Sequence, residues 1–168
     1  MKRFITALVC ALFAMVLAAC GPNAADHGPG TAGTAPVAPN PLPDSSYRAE
    51  ITLLNPPQTL RAGEPAPIKV KVKNIANATW PSQGQGPKYK VDVGNHWLDK
   101  DGKEVTGDDG RAGLPRDLKP GEEAEVLLTV KAPKTPGDYI LEVDMVHEDI
   151  TWFKWKGSQS TKANVKVQ

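Results

Sequence analysis

From Pro136 to Met145 the chain reads PGDYILEVDM, and its apolar residues fall two apart. Tyr139, Leu141, Val143 and Met145 share one side, with Glu142 and Asp144 between them. Successive side chains of an extended strand point to opposite faces of a sheet, so this spacing describes a strand buried on one face. Such a strand is not stable alone, and it commits the rest of the chain to covering it. After a turn near His147–Ile150 the sequence predicts a return strand, Thr151–Trp155, that completes a hairpin.

The partners are legible upstream and downstream. Tyr47–Leu54 alternates weakly and stops at Asn55-Pro56-Pro57. Ile68, Val70 and Val72 alternate with Lys69, Lys71 and Lys73, a strand whose lysines read as a solvated face. Tyr89–Leu98 places Tyr89, Val91, Val93 and Trp97 together. Asp101-Gly102 predicts a hairpin turn into a short strand, Lys103–Thr106, and Gly107–Gly110 predicts another turn. Glu122–Val130 alternates through Ala124, Val126, Leu128 and Val130, and Ala163, Val165 and Val167 close the sequence. No stretch holds a helical period, and 15 Gly and 16 Pro break the chain into short pieces. Seven to nine short antiparallel strands predict an all-β, immunoglobulin-like β-sandwich, with an up-and-down barrel as the alternative. Tyr139, at a strand start just after a Pro-Gly turn, suits a tyrosine corner.

The chain's beginning has another character. Met1-Lys2-Arg3 is basic and Phe4 to Leu17 is almost unbroken apolar sequence, which reads as a secretory signal. Leu17-Ala18-Ala19-Cys20 followed by Gly21 resembles the lipobox of bacterial lipoproteins. The resemblance implies cleavage before Cys20, a diacylglyceryl group on its thiol and an acyl chain on its new amino group. Each buried methylene is worth about 0.8 kcal/mol, so two or three chains hold a protein where one lets go. The alternative is a secreted protein with a chance cysteine. Of the two cysteines, Cys10 would leave with the signal and Cys20 would become the anchor, leaving no thiol for a disulfide or a nucleophile. Gly21, rather than Asp, after the cysteine favours the outer membrane facing the periplasm, if the envelope is Gram-negative.

Three regions follow: a signal peptide over 1–19, a lipidated and disordered tether over 20–46, and one sandwich domain over 47–168. The tether is crowded with Pro, Gly, Ala and Thr and holds too little apolar surface to offset the entropy of ordering it. Its reach is on the order of 30 Å as a coil and about 80 Å when stretched. With 20 Lys+Arg against 19 Asp+Glu, charge gives no reason for a nucleic-acid partner or for attraction to anionic lipid.

A wider resemblance is carried by spaced signals across Tyr47–Gln168. These are Asn74 with Thr79-Trp80-Pro81, His96-Trp97 with Asp99 and Asp101-Gly102, Arg111 with Leu114-Pro115, and Leu118-Lys119-Pro120-Gly121-Glu122. After them come Ala132-Pro133, Pro136-Gly137-Asp138-Tyr139, Asp144-Met145-Val146-His147-Glu148 and Trp152-Phe153. Together they resemble Ig-like modules appended to bacterial glycosyltransferases and other surface-polysaccharide proteins. A looser likeness is to the four-tryptophan Ig-like domain of autophagy receptors. The resemblance implies a sandwich and specifies the function poorly. The domain offers only His96 and His147, no thiol and no G-x-S-x-G elbow, so neither catalysis nor a cofactor is expected and the domain reads as a binding or assembly module.

The aromatics point to a surface. Trp152 and Phe153 are neighbours and must face opposite sides of a strand, with Trp155 on the side of Phe153; the same holds for His96 and Trp97. Either Trp152, or the pair Phe153 and Trp155, therefore lies outside the main core, and so does either His96 or Trp97. His96, Trp97, Asp99, Arg111, Trp152 and Trp155 form the candidate ligand or partner surface. An outward aromatic beside Asp or Arg suits a sugar ring. Alternatively the Ser82–Pro87 and Asp108–Arg116 loops cover these rings as a satellite core. His96, Asp99 and Asp101, with His147 and Glu148, are conceivable metal ligands, but the Asp-Gly spacing suits a turn better than a calcium loop, and no metal is expected. The function expected is that of an envelope lipoprotein held to the membrane through Cys20. It binds a protein partner or, alternatively, a surface glycan.

Overall fold

The computed structural model describes residues 42–85 and 88–168. The signal, Cys20, the tether up to residue 41 and Pro87 lie outside these. Among the described residues nine strands form two sheets, and there is no α-helix. The smaller sheet has the order β1 (Ala49–Leu54), β3 (Pro65–Asn74), β6 (Glu123–Lys131). The larger runs β2 (Thr59–Leu60), β9 (Thr161–Val167), β7 (Gly137–His147), β4 (Val91–Leu98), β5 (Glu104–Gly113), with β8 (Thr151–Trp152) added beside β7. This is the expected immunoglobulin-like sandwich. One pair departs from the antiparallel rule: β2 lies parallel to β9.

Alternation does what the sequence asked of it. Ile68, Val70 and Val72 of β3 are buried. Lys69, Lys71 and Lys73 stand on the other face, opposite Leu127, Glu125 and Glu123 of β6. Lys73 and Lys71 reach Glu123 at 3.5 and 3.7 Å, exposed pairs that contribute little to stability. Leu141, Val143 and Met145 of β7 meet Val91, Val93 and Trp97 of β4 in the core. The core's polar tips are satisfied by backbone: Trp80 donates to Ser46 O and Trp97 to Lys131 O, each at 2.8 Å. Tyr139 Oη donates to Thr135 O at 3.0 Å, four residues upstream, which is the bond of a tyrosine corner. Leu42 packs against the core, and the 3-10 turn Asp44–Ser46 leads the chain into it.

Three local expectations need correction. Tyr89 is not part of a strand: its φ is +64°, and its amide donates to Glu148 O at 3.1 Å, so pairing begins at Val91. Lys103–Thr106 does not stop at a turn over Gly107–Gly110, because β5 continues to Gly113. Gly110 serves close approach instead of turning: a β-carbon there would stand 2.5 Å from Thr129 O and 2.6 Å from Asn95 Oδ1. Finally, Thr151–Trp155 is a strand only to Trp152. Phe153–Lys156 forms a 3-10 turn capped by Gly157 at φ +83°. Period-two reasoning fails beyond Trp152: Phe153 is fully buried, whereas Trp155 is 68% exposed.

Candidate functional site

The larger sheet carries a second, polar layer on its outer face. Outward positions of β7 are Glu142, Asp144 and Val146, all buried, because the 148–160 segment folds back over them. Asp144 fastens that segment, its Oδ2 accepting the Lys154 amide at 3.0 Å and its Oδ1 the Met145 amide at 2.8 Å. Burial pushes the Asp144 carboxyl up to about 6, against those two hydrogen bonds. Burial also works to raise Glu142. There the Lys154 ammonium at 2.7 Å, the Ser160 hydroxyl at 2.7 Å and the Lys162 charge prevail, and its carboxyl lies below its ordinary value.

Trp152 lies over this face. Its ring meets that of His96 at 4.1 Å between centroids, and the Arg111 guanidinium sits 4.6 Å from its centre. Gly94 makes room: a β-carbon there would stand 2.6 Å from both Trp152 Cη2 and Arg111 Nη1. Arg111 Nε donates to Glu148 Oε1 at 2.8 Å. Burial raises the Glu148 carboxyl despite that charge, with Asp92 adding to the rise. Asp92, 1% exposed, is paired with Lys90 at 2.7 Å. His96 Nδ1 faces Glu104 Oε2 at 3.3 Å without hydrogen-bond geometry, and burial first, then Lys154, lowers its pKa.

The six sequence candidates therefore separate. His96, Arg111 and Trp152 come together, but as a covered cluster; His96 is 3% and Trp152 7% exposed. Of the two segments expected to cover these rings, Asp108–Arg116 contributes Arg111, but mostly as part of β5 and not as a loop, and the Trp152 segment itself overlies His96. Trp97 faces the opposite side and is wholly in the core. Asp99 is spent on its turn, Oδ1 accepting the amides of Asp101 and Lys103 at 2.9 Å. Trp155 is the exposed member, on the rim of a hollow of about 220 Å³ that Arg111, Glu148, Asp149, Ile150 and Trp152 also line. Sequence reasoning passed over Asp92 and the part Glu142 and Asp144 play in holding the covering segment. Their outward alternation in strands otherwise apolar was the available signal. His147 is a core residue, its Nδ1 3.0 Å from Tyr47 Oη and its Nε2 3.2 Å from Tyr89 O. Among the described residues no three His, Cys, Asp or Glu side chains converge as a metal site requires.

A second feature lies at the other end of the sandwich. β5 and β6 are edges of different sheets and touch at Gly110 and Thr129. Towards Val105 they part, leaving a hollow of about 400 Å³ lined by Val105, Thr106, Asp109, Lys131, Pro133 and Tyr139 among others. Val105, 44% exposed, is an apolar side chain on an edge strand with no further strand of its sheet beyond it.

No family model matches the chain, and no curated protein matches it. A β-glucosidase from Listeria innocua, solved with laminaribiose, is 18% identical with a TM-score of 0.45, over 72% of this chain and 16% of that one. A CARDB domain from Pyrococcus furiosus, solved with two metal ions, is 16% identical with a TM-score of 0.40, over 72% of this chain and 86% of the domain. An alkylpurine DNA glycosylase from Pseudomonas fluorescens is 15% identical with a TM-score of 0.42, over 72% and 30%. The chain thus spans about a sixth of the glucosidase's length. At TM-scores of 0.40 to 0.45 these likenesses carry no argument about what this chain does.

Proposed function

We propose that the chain is an envelope lipoprotein, held to the membrane through Cys20, whose sandwich is a non-catalytic module that binds a protein partner at the end of the sandwich that carries Val105 and Tyr139. The observation that supports this most is the parting of β5 from β6. An exposed edge strand offers its backbone to an extended segment, and the adjoining hollow beside Tyr139 accepts a side chain from it. That end is opposite the one where residues 42–48 enter the fold. A non-catalytic reading is supported by the two histidines of the domain. His96 lies beneath Trp152, and His147 is tied to Tyr47 and Tyr89 in the interior. A photo-crosslinking residue placed at Val105, in cells, tests the reading, with the same residue at Leu127 on the far sheet as comparison. One adduct of defined mass from Val105 and none from Leu127 is expected. Equal labelling at both, or none at either, would overturn it.

A glycan ligand is the second reading, favoured by Trp155 standing beside Arg111, Glu148 and Asp149 around one hollow. The other three tryptophans are buried, so a saturable change in emission on titration with envelope polysaccharide would report Trp155. A flat titration removes this reading.

A further inference from the structure

Trp155 is an exposed aromatic on a rigid mount. The Lys154 amide is held by Asp144, Gly157 caps the turn, and Arg48 Nη1 donates to Lys156 O at 2.7 Å. Ile150, 37% exposed, lines the same hollow. The described chain begins beside this tip: Asp44 Oδ1 accepts from Lys156 Nζ at 2.9 Å, one residue from Trp155. Residues 42–48 thus enter the fold at this end. Lysines flank the tip, Lys156 paired with Asp44 and Lys88 with Asp149 at 3.2 Å, so each is offset by a carboxylate and neither sign of charge dominates. An aromatic with an apolar body and an N–H, ringed by balanced charge, suits the headgroup layer of a bilayer, where one end of the ring is dry and the other wet. Because the mount is already fixed, little conformational entropy is lost on insertion.

We propose that the tip formed by Trp155 and Ile150 rests in the headgroup layer of the bilayer that holds the chain, so that the sandwich stands loop-end down on its own membrane. This rests on the lipid anchor at Cys20. A lone aromatic tip is too weak to hold a protein to a bilayer, but an anchor that already confines the chain leaves it only to orient the domain.

The test uses the full lipidated chain in vesicles of phosphatidylethanolamine and phosphatidylglycerol that contain brominated phosphatidylcholine. With Trp80, Trp97 and Trp152 buried, contact quenching reads Trp155. Emission is expected to fall by no more than the share of one tryptophan in four, and the fall is expected to vanish in Trp155→Ala. Ile150→Ser, which leaves the fluorophore in place, is expected to reduce it. Cys20→Ala is expected to release the protein from the vesicles. Protein that co-floats with vesicles but shows no quenching, or quenching that survives Trp155→Ala, overturns the tip and leaves the anchor standing. Wild-type protein that does not co-float overturns both. A partner protein covering the tip instead would appear as quenching in pure vesicles that native envelope extract abolishes, and that outcome also overturns bilayer contact in the cell.

Discussion

Gly94 lies directly beneath Trp152, with space for a hydrogen and none for a methyl group: a β-carbon would approach Cη2 to 2.6 Å and Cζ3 to 2.9 Å. The indole is wedged between His96 and Arg111 and cannot swing aside without parting from both. Gly94→Ala is therefore expected to destabilise the domain by about 1–3 kcal/mol, the usual range for overfilling a packed site. Urea unfolding followed by circular dichroism measures it; an unchanged midpoint would mean that Trp152 is not locked in place.

Phe153 and Trp155, two residues apart on the same 3-10 turn, should respond in opposite ways. Phe153 packs edge-to-face on Tyr47 and Trp80 at 5.0 and 5.2 Å, so Phe153→Ala is expected to lose about 3–5 kcal/mol. Trp155→Ala removes an exposed ring, and a change within about 0.5 kcal/mol is expected. Thermal melts of the two variants side by side decide it.

Asp144 gives the domain a pH signature. Its folded-state pKa of about 6 lies above the ordinary 3.8, so between roughly pH 4 and 6 the folded chain keeps a proton that the unfolded chain has lost. Its contribution to stability is then greatest on the acid side of that window and declines as pH rises through it, by something on the order of 2–3 kcal/mol in all. Asp144→Asn abolishes this titration. Melting temperatures from pH 4 to 7 are expected to show a difference, wild type minus variant, that drops with rising pH; a difference independent of pH refutes the assignment.

The tyrosine corner offers a smaller test. Tyr139→Phe keeps the ring against Trp97, at 6.4 Å between centroids, and deletes the bond to Thr135 O. A loss of about 1 kcal/mol is expected from equilibrium denaturation. A variant as stable as wild type would show that the bond to water serves equally well.

What could be read in advance was whatever a period of two controls. β3, β6 and β7 bury the alternate residues that the sequence marks, because each lies between a core and an outer surface. Reading failed where another constraint replaced alternation. Gly110 looked like a turn residue, yet its missing side chain serves the contact between sheet edges. Trp152 and Phe153 are both buried because the outer face of β7 has its own cover, and Trp155 then escapes on a 3-10 turn. Local spacing cannot reveal that cover, since it depends on which residues from distant strands, His96 and Arg111 among them, arrive beneath the ring. Glu142 and Asp144, which alternation alone assigns to an open face, are buried for the same reason. Asn95 remains a buried amide without a protein hydrogen-bond partner at the β4–β5 register shift, and nothing in its spacing foretold it.

The short β2 strand, lying parallel to β9, fixes how the domain would respond to a pull along its strands. Gln168 donates to Leu60 O at 2.9 Å and Lys166 to Gln58 O at 2.9 Å, while Ala62 donates back to Gln168 O. Residues 42–48 lie at the loop end, and Gln168 is clasped at the opposite one. Tension between those two points runs along the strands, so these bonds are strained together as a shear clamp and cannot be unzipped one by one.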